Sequence, residues 1–350
     1  KNSELYTAIE KETQIRTHLS RYLSKDVVEG VLDGTISLQL GGEKKRGTIL
    51  FCDIVGFTSM AENLSATEVV QKLNRYYSVV TGIVTKNKGT LHKFAGDMVM
   101  AFWNVMLPDE TAEENAIRTG LELQVSVFLF DFDLESEGQR PIFLGIGCNT
   151  GEFAGGNIGG SDRMEYTIIG DNVNLAQRIE ALACRWQVLV SAETIAPVKN
   201  RCLSIKMPSV TVKGRTQPID VYSVRGIALD DNSILLSIPV FIMSPDGQVN
   251  GGGLLTAYKV QAGLPELHLC TVFTLPSWGK LIIQFDLPEL SRALRVQGNV
   301  FESIRVSHDG GALHSKIILT GLSGDPEALE FFSPGSCLVS RKNWTDMKRH

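Results

Sequence analysis

Between Gly47 and about Gly226 the hydrophobic period of the chain keeps changing. Short apolar runs of strand length alternate with stretches whose apolar residues recur every three to four positions. A continuous apolar run suits a buried strand, and a 3.6-residue period suits an amphipathic helix. A chain that switches this often folds as strands and helices in packed layers. The run Thr48–Cys52 reads as a strand, and the stretch Ala66–Asn87 as a helix with Val69, Leu73, Tyr76, Val80 and Val84 on one face. "NKGTLHKFAGDMVMAFW" reads as two short strands around a tight turn at Ala95-Gly96-Asp97. A second helix follows at about Glu110–Phe128, then the strand "IFLGIGCNTG", the strand "MEYTIIGD" and the helix "NVNLAQRIEALA". "VLVS", "CLSIKM" and "PIDVYSV" are short strands that close the region. The unit is mixed α/β and about 180 residues long, ordinary for one domain.

The flanks differ. Residues 3–32 carry Leu5, Ile9, Ile15, Leu19 and Leu23 at helical spacing, and Glu12 interrupts the seam. Residues 1–42 are therefore expected to form a helical linker or dimerisation segment, broken by Gly34, Gly41 and Gly42. Residues 43–228 form the α/β domain. Residues 233–350 hold "ILLSIPVFIM", "LHLCTVFTL", "KLIIQFDL", "ALRVQGNVFESIRV" and "LHSKIILTGL", punctuated by Gly, Pro and Asp, with "GDPEALEFF" alone reading as helical. That pattern predicts a small β-barrel or sandwich.

Composition narrows the function classes. Of 350 residues, 43% are hydrophobic and the net charge is −5, so no basic footprint points to nucleic acid. No apolar run reaches the roughly 20 residues that span a bilayer. The six cysteines (Cys52, Cys148, Cys184, Cys202, Cys270 and Cys337) form no CxxC pair, which argues against zinc and fits a reducing, cytoplasmic setting.

Chemistry concentrates at two acids. Asp53 ends an apolar strand and Asp97 sits in a hairpin turn. A single acid at a strand end is usually a cap or a solvated turn residue. Two of them on strands about 5 Å apart could share one divalent cation. Gly56 lets the chain bend just after Asp53, and the N–H groups of Gly56, Phe57 and Thr58 could then face phosphate oxygens. Lys93 precedes Asp97 by four residues, and Asn174 and Arg178 are four apart on one helix face. Thr167 lies on the strand before that helix. "GGNIGG" lacks the Lys-Ser/Thr of a P-loop and reads as a flexible hairpin. "VKGR", with Lys213 and Arg215, is either a charged turn or an arm that reaches a phosphate.

Taken in order, "LSRYLSKDVVEGVL", "GTILFCDIVGFTSMAE", "LNRYYSVVTGIVTKNKGTLHKFAGDMVMAFWN", "GIGCNTGEFAGGNIGG", "YTIIGDNVNLAQRIE" and "VKGRTQPIDVYSV" resemble the catalytic domain of bacterial class III adenylate/guanylate cyclases. The resemblance runs from about Leu19 to Val224. It implies a ferredoxin-like βαββαβ mixed sheet with helices. It implies that Asp53, Asp97 and the carbonyl of Ile54 hold two Mg²⁺ or Mn²⁺ ions, and that Lys93 and Thr167 read adenine. Asn174 would orient the ribose, Arg178 would stabilise the transition state, and Lys213 would contact the terminal phosphates. The implied reaction is conversion of ATP to 3′,5′-cyclic AMP and pyrophosphate in a homodimer whose sites are shared between subunits. A guanylate cyclase and a nucleotide-binding regulatory module with little turnover are the alternatives. The C-terminal region resembles a PilZ-type barrel but lacks that family's Arg-xxx-Arg and Asp-x-Ser-xx-Gly stretches, so cyclic di-GMP is not an expected ligand.

Overall fold

A computed structural model describes residues 40–136, 142–160, 164–271, 279–307 and 313–340. The helix expected over residues 3–32 lies outside them. The first described element is the long strand β1 (Gly41–Ile54), followed by the short helix α1 (Phe57–Ala61) and helix α2 (Ala66–Lys86). Strands β2 (Thr90–Ala95) and β3 (Met98–Trp103) form a hairpin, and helix α3 (Ala112–Ser136) leads to strand β4 (Leu144–Gly159). These strands lie side by side in the order β4-β1-β3-β2, all antiparallel. That is the ferredoxin-like βαββαβ arrangement.

The sequence encodes each helix locally. Ser65 and Glu68 form a reciprocal capping box at the start of α2: the Glu68 N–H donates to Ser65 Oγ (3.3 Å) and the Ser65 N–H to Glu68 Oε2 (2.7 Å). Tyr76, Val80 and Val84 then recur four apart and are fully buried against the sheet. Ahead of α3, Asp109 accepts from the Thr111 N–H and from Asn115 Nδ2, which fixes the first turn.

Strand β1 sorts its side chains by period two. Leu50, Cys52 and Ile54 join the core under α2 and α3. Ile49 and Phe51 face the opposite side, where a second core contains Met100, Phe102, Phe153, Ile168, Val173 and Ala176. The alternation carries Asp53 to that second face.

Beyond β4 come strand β5 (Met164–Ile169), helix α4 (Asp171–Glu180), strand β6 (Gln187–Ser191), the one-turn helix α5 (Ala192–Ile195), strand β7 (Cys202–Lys206) and strand β8 (Val221–Asp230). Helix α4 lies on the second face, and β6 pairs parallel to β4. Gly147 makes that docking possible. A Cβ there would sit 2.1 Å from the Glu180 backbone nitrogen.

The segment "GGNIGG", expected as a flexible hairpin, is largely strand. Residues 155–159 belong to β4 and pair with β5. Residues Gly155 to Asn157 also pair with the start of β1, where Gly41 and Gly42 likewise prove to be strand rather than a break. Glycines face each other there because the backbones meet closely: a Cβ at Gly156 would lie 2.1 Å from the Gly41 carbonyl oxygen.

Strand β8 passes through a turn into strand β9 (Ser233–Met243), its antiparallel partner. With β10 (Val249–Gln261), β11 (Leu264–Thr271), β12 (Lys280–Phe285), β13 (Arg295–Ser307) and β14 (Leu313–Gly324), it closes a six-stranded antiparallel barrel in the order β9-β10-β11-β14-β13-β12 and back to β9. Strand β10 carries three consecutive glycines, Gly251 to Gly253. Gly253 pairs with Thr271 and Val240, and its neighbours leave no room for a side chain: the Cys270 oxygen would lie 2.8 Å from a Cβ. Helix α6 (Pro326–Phe331) follows the barrel. Strand β15 (Cys337–Val339) then returns to pair in parallel with β7.

Candidate active site

Asp53 and Asp97 converge. Asp53 ends β1 half-buried on the second face, and its Oδ1 accepts the Ile54 N–H at 3.1 Å. Asp97 occupies the two-residue turn between β2 and β3, with Gly96 at φ 65° as the residue that allows the tight reversal. The turn is clamped to α2. The Tyr77 hydroxyl donates to the Gly96 carbonyl, and the Tyr77 ring stacks on Phe94 with centroids 4.0 Å apart. This holds the Asp97 carboxyl within hydrogen-bonding reach of Asp53. Burial, the neighbouring Asp97 and the charge of Glu180 together push the Asp53 carboxyl up to about 8. Two facing carboxyls that repel each other form a set of hard oxygen donors, and such a pair fits Mg²⁺ or Mn²⁺. Among the described residues no third His, Cys, Asp or Glu completes an all-protein cage. That suits a cation that takes its remaining ligands from a substrate's phosphates.

After Asp53 the chain bends as the sequence implied. Gly56, at φ 76°, is the N-cap of α1, and it makes no side-chain cap hydrogen bond to the first turn. Ile54 is buried at the strand end.

A second group gathers around α4. Asn174 is exposed and Arg178 half-buried, one turn apart. Arg178 Nη1 lies 3.7 Å from Asp171 Oδ1, and this buried nitrogen has no hydrogen-bond partner among the described residues. An orphaned guanidinium nitrogen suits an incoming anionic oxygen. The 213–215 turn sits over it: a Cβ on Gly214 would be 3.3 Å from Arg178 Nη2. Arg215 ties this turn to the helix start through Asp171 Oδ2 (3.0 Å from Nε, 2.6 Å from Nη2). Lys213 is exposed beside it. An open cleft of about 630 Å³ runs along the turn, lined by Leu175, Glu193, Arg215 and Asp220.

Lys93 and Thr167 stand on β2 and β5. No ion pair joins Lys93 to Asp97 among the described residues, so the four-residue spacing does not reflect a simple charge pair. Strand β2 already ends at Ala95, and the pairing register slips between Leu91 and Lys93, leaving His92 as an extra residue in a β-bulge. His92 Nε2 lies 3.2 Å from Thr167 Oγ1. The sequence reading missed Tyr77, Asp171 and His92. His92 adjoins Lys93 and Asp171 lies three residues before Asn174, yet no residue pattern reveals a clamp or a bulge.

The family of the adenylate and guanylate cyclase catalytic domain matches residues 42–226, more than half of the chain. The chain belongs to this family. Adenylate cyclase 1 of Rhizobium meliloti (strain 1021) is 30% identical to the chain over 211 residues, covering 59% of it and 31% of the relative. An adenylate cyclase of Anabaena cylindrica is 29% identical over 202 residues, covering 55% of the chain and 39% of the relative. The chain thus spans about a third of the length of the curated relatives it matches. The crystal structure of the adenylyl cyclase CyaB from P. aeruginosa shares 32% identity and a TM-score of 0.52, covering 55% of this chain and 99% of that one. The guanylyl cyclase Cya2 shares 31% identity and a TM-score of 0.53, over 55% and 98%. The cyclase domain is the shared part, and the barrel lies beyond the family match.

Proposed function

We propose that the chain is an adenylate cyclase that converts ATP to 3′,5′-cyclic AMP and pyrophosphate. The observation that carries this reading is the facing pair Asp53 and Asp97, on the sheet face where α4 packs. Their carboxylates would hold two divalent cations, with the Ile54 carbonyl as a further ligand. When bound, such cations lower the pKa of a ribose 3′-hydroxyl and neutralise triphosphate charge. The chain's own residues supply position and complementary charge, which do most of the work in phosphoryl transfer. Lys93 and Thr167 hold the adenine, and Asn174 orients the ribose. Arg178 donates to the α-phosphate oxygens as charge grows there. Lys213 and the N–H groups of Gly56, Phe57 and Thr58 meet the outer phosphates. The bond from O3′ to the α-phosphorus forms as the bond to pyrophosphate breaks, and the 3′-hydroxyl proton leaves to water or to a substrate phosphate.

The acids and the α4 set act on different nucleotides of one chain. Among the described residues no hydrogen bond or ion pair joins Asp53 or Asp97 to Lys93, Asn174 or Arg178. A head-to-tail homodimer would let the acids of one subunit face Arg178 of the other. Residues 1–42 would then set how the two domains meet. Residues 233–350 would serve as a PilZ-like barrel with a structural or protein-contact role rather than a cyclic di-GMP site. A cytoplasmic setting suits the six cysteines, all of which are free thiols.

A guanylate cyclase is the second reading, supported by the likeness to Cya2 and opposed by a lysine at position 93. Purified chain is incubated with Mn²⁺ and either ATP or GTP across a range of protein concentrations. The expected result is cyclic AMP at a specific activity that rises with concentration. Cyclic GMP as main product would favour the second reading. No cyclic nucleotide from a demonstrated dimer would overturn both.

A further inference from the structure

A threonine hydroxyl is an ambiguous reader of a purine. It can accept from the 6-amino group of adenine or donate to the 6-oxo group of guanine, because its proton rotates to suit. Thr167 is the residue assigned to the base in the proposed function, and the inference that follows rests on that assignment. Its hydroxyl has a side-chain partner that can settle the choice. Among the described residues, His92 is the one side chain hydrogen-bonded to it, with Nε2 3.2 Å from Oγ1.

Several features fix His92. It is the extra residue of the β2 bulge, the device that re-aims side chains beside active sites. Its ring lies against the fully buried Phe102, with centroids 5.5 Å apart. Burial first, and then the adjacent Lys93 cation, push the imidazole down to about 4, so it is neutral at physiological pH. A neutral imidazole has one donor nitrogen and one acceptor nitrogen.

We propose that His92 is a positioning residue that sets nucleobase specificity: its Nε2 accepts the Thr167 hydroxyl proton, so that Thr167 turns only lone pairs toward the base. An adenine amino group finds an acceptor there. A guanine carbonyl finds lone pairs facing its own and is rejected. His92 thereby converts an ambivalent hydroxyl into an adenine reader without touching the nucleotide.

The test uses the full chain and four proteins: wild type, His92→Phe, Thr167→Val and the double variant. Phenylalanine keeps a ring against Phe102 and removes both nitrogens. Thermal melts and circular dichroism confirm folding, and His92→Leu, which also lacks an acceptor, serves as a second variant if the phenylalanine protein does not fold. Two readouts are taken with Mn²⁺. One is the ratio of kcat/KM for ATP and GTP. The other is the ratio of affinities for the α,β-methylene analogues of the two nucleotides, which needs no turnover.

The expected result is a fall of about tenfold in the preference for adenine in His92→Phe, the scale of one neutral hydrogen bond. GTP use should rise in that variant, and His92→Phe should have no effect in the Thr167→Val background. A folded His92 variant with an unchanged ratio, or with a stronger preference for ATP, overturns the proposal while leaving the cyclase reading intact. A ratio that shifts equally with and without the Thr167 hydroxyl also overturns it, because the effect then does not pass through that hydroxyl. If the wild-type chain neither binds nor converts either nucleotide, the cyclase reading and this proposal fall together.

Discussion

Asp53 holds its proton far above the ordinary carboxylate range because it is half-buried and faces Asp97. The sign of the consequence is unusual for an acid. The folded chain keeps a proton that the unfolded chain releases near pH 4, so in metal-free protein this group makes stability fall as pH rises from about 4 to about 8. A divalent cation must displace that proton. Manganese affinity measured by calorimetry should therefore strengthen steadily from pH 6 to pH 8.5 in the wild type. In Asp97→Asn, which removes the facing charge, overall affinity should drop and the pH dependence should flatten. A pH-independent affinity in the wild type would contradict the pairing. Arg178 shows the complementary situation, a half-buried cation with one buried nitrogen that lacks a hydrogen-bond partner among the described residues. Arg178→Ala should reduce the rate by about 10²–10³, as loss of a preorganised donor commonly does. At this scale the sequence singled out Asp53 and Asp97 as acids on neighbouring strands, and the structure brings them together, while the roles of Lys93, Asn174 and Arg178 rest on the family resemblance. The residues that hold them do not. Tyr77 is one aromatic on a helix, and Asp171 one acid at a helix start, and only folding brings Tyr77 to Gly96 and Asp171 to Arg215.

Among the elements, the β2–β3 hairpin matters most, because its turn must present Asp97 to Asp53. Its anchor is the Tyr77 clamp from α2. Tyr77→Phe keeps the stack on Phe94 and deletes the hydrogen bond to Gly96. Stability should fall by only about 0.5–1.5 kcal/mol. The manganese concentration for half-maximal activity should rise several-fold, read by metal titration of the cyclase assay. A loss of stability with unchanged metal dependence would mean the clamp serves folding alone. Helices α2 and α3 and the hairpin were legible because period and turn chemistry agree there. Strand β10 was not, since three glycines interrupt its apolar pattern, and only the close approach of Cys270 and Ile242 explains the glycine at 253. The bulge at His92 was equally hidden, because register is a property of the pair of strands and not of either sequence.

Across the whole molecule, the cyclase domain and the barrel share buried structure. Leu203 and Ile205 of β7 pack into the barrel core, and Leu235 of β9 packs against the cyclase core. Glu289, from the barrel loop between β12 and β13, is fully buried against Arg225 of β8. Burial pushes its carboxyl up, but the Arg225 charge and hydrogen bonds from Ser223 (2.6 Å) and Gln187 (2.9 Å) outweigh that and hold it below its ordinary value. This contribution is present above the unfolded-state value near pH 4.5 and is lost as pH falls through the lower folded value. Replacing Glu289 with Ala leaves a buried guanidinium unpaired, which typically costs about 3–5 kcal/mol. The loss should appear in one shared melting transition of domain and barrel. Two separate transitions, with the cyclase transition unmoved, would contradict the coupling. Nothing in the sequence marked Glu289, because an acid among "LPEL" reads as a loop residue until the sheet is seen to continue from β8 into β9.

The central claim is that Asp53 and Arg178 act on one ATP from two subunits. The most direct measurement mixes inactive Asp53→Ala and Arg178→Ala proteins, verifies mixed dimers by differently tagged pull-down, and follows cyclic AMP formation. The account predicts that activity returns to a substantial fraction of the wild-type level, since each mixed dimer has one intact site. A mixture that forms mixed dimers and stays inactive would contradict it.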